Sequence, residues 1–139
     1  MVLVGVAGDE RAGHRRIDNR LVGWQDVMPT LLDLAGFQIS GTVEGLSMVG
    51  PEKREWFYGE WGEGPVAPRM IHDGRFKLIY YATGNRFQLF DLQEDPHELN
   101  ELAASPDQDG VPGRMLELLR GELYGGDEAW VQNGELDRC

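Results

Sequence analysis

The dipeptide Asp73-Gly74 constrains what this chain can fold into more than any other feature. An Asp-Gly pair between two extended runs is the strongest short-range hairpin signal, because both residues accept the positive φ angles of a type I′ turn. Arg69-Met70-Ile71-His72 enters the turn and Arg75 to Tyr81 returns from it. On the return strand Phe76, Leu78 and Tyr80 share one face, and Lys77, Ile79 and Tyr81 share the other. Neither face is wholly polar, so the pattern predicts a helix against one side and a neighbouring domain against the other. Trp56, Phe57, Tyr58 and Trp61 favour a strand over 55–61, and the Gly/Pro-rich stretch 62–68 interrupts it. Thr83-Gly84-Asn85 reads as the next turn and Phe87 to Leu92 as a further strand, giving a meander of three or four antiparallel strands.

Helical signals flank this meander. Upstream, Asp26 is placed to cap a helix, Pro29 is tolerated in its first turn, and Gly36 stops it after Thr30-Leu31-Leu32-Asp33-Leu34-Ala35. Asp26 is better read as that cap than as half of a carboxylate pair with Asp33, which lies two turns along, roughly 10 Å by helical rise, and faces solvent. Downstream, Asp95-Pro96-His97-Glu98 reads as a capped start of a short helix anchored by Leu99 and Leu102. Met115, Leu118, Leu119 and Leu123 fall at helical spacing, so 114–124 is expected to be an amphipathic helix ended by Gly125-Gly126. The tail beyond is polar apart from Trp130, Val131 and Leu136. At the other end, residues 2–7 form a short uncharged run that reads as a buried strand, and 16–22 as an extended segment.

The charge balance narrows the partners. Of 139 residues, 41% are hydrophobic and 27% charged, with a formal net charge of -11. A nucleic-acid groove or an anionic membrane surface demands clustered Lys and Arg, so both are excluded as expected partners. No apolar run approaches the roughly 20 residues of a membrane span. The run 1–7 lacks the basic start and cleavage site of a signal peptide, and the compartment is left open. The single cysteine, Cys139, allows no internal disulfide.

Two stretches carry a family resemblance. The first is Asp26-Val27-Met28-Pro29-Thr30-Leu31-Leu32-Asp33-Leu34-Ala35-Gly36. The second is Arg69-Met70-Ile71-His72-Asp73-Gly74-Arg75-Phe76-Lys77-Leu78-Ile79-Tyr80, followed by Leu89-Phe90-Asp91-Leu92 and Asp95-Pro96-His97-Glu98-Leu99. In this order and spacing they resemble the C-terminal part of an arylsulfatase-like sulfatase of the alkaline-phosphatase superfamily, over nearly the whole chain. The resemblance implies an α+β architecture. Residues 1–53 would be the last strand and helix of an α/β catalytic domain. Residues 54–139 would be the C-terminal subdomain, a small antiparallel sheet packed with a C-terminal helix.

Sulfatases resembling this chain use a formylglycine made from Cys or Ser in a Cys/Ser-x-Pro/Ala-x-Arg motif, with calcium or magnesium held by Asp and Asn. Those elements lie upstream of the Pro-Thr-Leu-Leu-Asp-Leu helix. Only 28 residues precede Pro29, and they contain no Cys, no paired Asp-Asp and no Asp-His-Gly or Asp-Asn-Gly segment. The expectation is a sulfatase segment without catalytic residues, metal ligands or cofactor of its own, inactive alone, with a structural and pocket-closing role. Its expected partners are the catalytic portion or a second copy of itself. Two rival readings are a stand-alone binding module and a piece of a related phosphonate or phosphate monoester hydrolase.

Glu60, Trp61 and Arg69 are the candidates for a substrate-pocket rim, since an arginine there would meet an anionic group bidentately. The competing expectation is structural: Trp61 packs under the sheet, and Arg69 pairs across a strand with Glu60 or Glu63. His14-Arg15-Arg16 reads as a solvated turn rather than an anion site, and His14, His72 and His97 show no metal-ligand spacing.

Overall fold

The alternation in the hairpin region produces a four-stranded antiparallel sheet in the order β1-β2-β3-β4. The strands are β1 (Phe57–Glu60), β2 (Arg69–His72), β3 (Phe76–Tyr81) and β4 (Arg86–Asp91). The coordinates are a computed structural model that describes residues 19–105, 110–132 and 135–136. The expected strand at 2–7, the first three residues of the segment 16–22 and the His14-Arg15-Arg16 turn lie outside the described residues.

The chain divides into two compact units between Glu55 and Trp56. In the second, register lines up Tyr58, Ile71, Leu78 and Leu89 across all four strands. That row faces α2 (Val111–Glu122), which packs on β2 and β3 through Met115 and Leu119. Leu123 and Trp130 complete this core, and Leu118 is partly buried against it. The helix begins earlier than the expected Arg114, because Pro112 is well suited to a first helical turn. Past α2, Gly125–Trp130 form a 3-10 turn, and β5 (Val131–Gln132) pairs with β6 (Glu135–Leu136). The sequence showed no signal for this last pair.

The turn between β2 and β3 differs from expectation. Asp73 and Phe76 bracket the turn, so its central residues are Gly74 and Arg75. Gly74 has φ 97° and Asp73 is not in the left-handed region, the glycine-first pattern of a II′ rather than a I′ turn. The Asp73 carboxylate takes over the turn's acceptor role, receiving the N–H groups of Arg75 at 2.9 Å and Phe76 at 2.7 Å. The short helix expected at 94–98 is absent. Glu98 has φ 55°, incompatible with a helix, and its carboxylate is held by Lys77 at 2.6 Å. Asp95 closes a turn by accepting the Asn100 N–H at 2.7 Å, and Leu99 is exposed rather than an anchor.

In the first unit, a 3-10 turn (Trp24–Asp26) leads into α1 (Val27–Leu34), with Pro29 in its first turn. The helix closes as a Schellman motif: Gly36 has φ 76°, its N–H meets Asp33 O, and Phe37 N–H meets Leu32 O at 2.9 Å. Asp26 makes no side-chain cap to the helix. Its fully buried carboxylate instead accepts the N–H groups of Gly23 and Leu46, and both terminal nitrogens of Arg54 at 2.5 and 2.7 Å. Asp33 does not simply face solvent, since it accepts a hydrogen bond from Ser47 Oγ at 2.7 Å.

Candidate functional site

Antiparallel pairing of β1 with β2 sets Glu60 directly opposite Arg69. The register then continues to Tyr80 on β3, whose side chain lies in the core, so this row faces α2. Arg69 is 3% exposed. Its Nε donates to Asp127 Oδ2 at 2.6 Å, and a terminal nitrogen donates to the carbonyls of Ala67 and Pro68. Glu60 Oε2 lies 3.7 Å away, and the guanidinium stands 5.1 Å from the centre of the Trp130 ring. Burial by itself would lower the Arg69 pKa, but Asp127, Tyr58 and Glu60 outweigh it and hold the value above the ordinary one.

Two phenols complete the cluster. Tyr124 donates to Glu60 Oε1 at 2.6 Å, and Tyr58 donates to Glu60 Oε2 at 3.4 Å. Burial is the main cause that pushes the Tyr58 pKa up, and the bond to Glu60 does the same for Tyr124. Both therefore stay protonated donors at neutral pH. The result is an ion-pair knot, buried at Arg69 and open to solvent at Glu60 and Tyr124, that ties the 3-10 turn carrying Asp127 and Trp130 to the sheet. Charge-assisted bonds of this kind fix geometry, and each loses most of its value if one partner is removed.

Of the three rim candidates, the structure brings Glu60 and Arg69 together and leaves Trp61 apart. Trp61 sits just past the end of β1, its N–H bonded to Pro68 O at 3.3 Å and its indole 81% exposed. It does not pack under the sheet. Pairing of Arg69 across the strand is present with Glu60, but the closer partner is Asp127, 58 residues away. Nothing local in the sequence marks Asp127; Trp130, an apolar residue in a polar tail, was the one available hint.

The family model described as N-sulphoglucosamine sulphohydrolase, C-terminal, matches residues 9–123. The chain belongs to this family. The chain is 28% identical over 127 residues to an arylsulfatase of Clostridium perfringens, covering 87% of the chain and 26% of that protein. It is 40% identical over 90 residues to a choline-sulfatase of Rhizobium meliloti, covering 58% of the chain and 17% of that protein. A solved 2-O GAG sulfatase superposes with a TM-score of 0.62 at 28% identity, over 69% of the chain and 23% of that structure. The chain thus spans about a quarter of the length of the arylsulfatase it matches. The α+β architecture, helices with a four-stranded and a two-stranded antiparallel sheet, is that of the corresponding part of sulfatase structures.

Sulfatases as a family depend on a metal ion and on formylglycine. Among the described residues no three His, Cys, Asp or Glu side chains converge in a way that would hold a metal ion. His72 Nδ1 lies 3.0 Å from Phe76 O within the hairpin, and His97 is exposed in a turn. No catalytic step is assigned to the described residues. Cys139 lies outside the described residues. No helix among them is long and apolar enough to cross a membrane.

Proposed function

We propose that this chain serves a sulfuric ester hydrolase of the arylsulfatase type as a structural, pocket-flanking subdomain. The observation that carries this reading is the family match over residues 9–123, set against coverage of only 26% of the arylsulfatase. In this reading hydrolysis, formylglycine and the calcium or magnesium ion belong to the catalytic portion, which is the subdomain's partner. The knot around Arg69 supports the role physically. Arg69 and Asp127 act as positioning residues, fixing β1 and the loop that follows it, while Glu60 and Trp61 stand at the surface end of that strand. An exposed indole on a rigidly held strand end suits contact with the part of a substrate that does not react. Arg69, being buried and paired, supports the rim rather than binding sulfate itself.

The test is an assay of the purified chain with an aryl sulfate and an aryl phosphate, with calcium or magnesium added. No turnover above background is expected. Turnover that persisted through further purification would overturn the assignment of catalysis to another portion.

A further inference from the structure

We draw no further inference here: the strongest candidate, the ion-pair knot in which Asp127 and Glu60 close on Arg69 between the end of β1, β2 and the 3-10 turn after α2, belongs to the site already described.

Discussion

The two units of this chain are organised around opposite kinds of centre. In residues 19–55 the buried positions are Asp26, Pro29, Thr30 and Gly45, and what joins α1 to the loop after it is a polar network. Among the described residues of 56–139 the centre is Ile71, Leu78, Leu89, Met115 and Leu119, with the buried charges Arg69 and Asp91 outside this apolar cluster. The difference teaches where each unit is fragile. Apolar packing spreads its stabilisation over many contacts and is indifferent to pH. A buried carboxylate concentrates it in a few bonds that one substitution or one proton removes.

The sharpest way to test the comparison is Asp26→Ala. It removes the carboxylate that holds the Arg54 guanidinium through two nitrogens and that accepts the N–H groups of Gly23 and Leu46. Breaking a buried pair from one side costs about 3–5 kcal/mol. Backbone amide exchange should show α1 losing protection while β2 and β3 keep theirs. Equal loss in both units would mean that they do not differ in this way.

The matching change in the second unit is Leu78→Ala, at a fully buried side chain in the centre of the sheet. A large-to-small change there costs about 2–5 kcal/mol through lost burial and the cavity left behind. Denaturant unfolding followed by protection of β2 and β3 should report the loss, with α1 little affected.

Acidification should separate the units without any mutation. Burial alone would raise the Asp26 pKa, but the bonds from Arg54, Gly23 and Leu46 hold it below the ordinary value of 3.8. A depressed carboxyl contributes stability above its unfolded pKa and loses it as pH falls through the folded one. Protection of α1 should therefore decline as pH drops below about 4, toward the folded pKa. Asp91 is also depressed, chiefly by Arg75, and Asp73 is held below its ordinary value by Arg114 and two backbone N–H groups despite its burial. Both arginines are half exposed, so solvent screens these pairs and β2 and β3 should outlast α1. Simultaneous loss of protection would contradict this order.

The smallest effect is at the turn. Gly74→Val forces a β-branched residue to φ 97°, and should cost at least about 1 kcal/mol in thermal or denaturant unfolding of the second unit. No cost would mean that the turn relaxes freely, and that the hairpin does not help specify the sheet.

Much of the fold was legible because its signals are local. The period-two pattern of Phe76, Leu78 and Tyr80 marked β3, and the four-residue spacing of Met115, Leu119 and Leu123 marked α2 and its buried face. The segment 94–98 misled for a physical reason. Asp95-Pro96 begins a turn as readily as a helix, and here the Asp95 carboxylate closes the turn on Asn100 while Lys77, 21 residues away, holds the Glu98 carboxylate. The candidate site was half legible. Register could bring Glu60 to Arg69 once the hairpin was recognised, but the exposure of Trp61 and the partnership with Asp127 depend on where distant segments settle.

By itself, the sequence determined the antiparallel meander, the α2 face that covers it, the Gly36 stop of α1 and the resemblance to sulfatases. Each of these follows from backbone preferences and side-chain spacing within a few residues. Only the tertiary structure decided that Asp26 would be buried against Arg54 rather than cap a helix, and that Arg69 would be closed off by Asp127 and Trp130. The two ion pairs among them join residues 28 and 58 positions apart. A charged side chain carries no local mark of which distant partner will satisfy it, because that depends on which groups the packed fold brings within hydrogen-bonding distance.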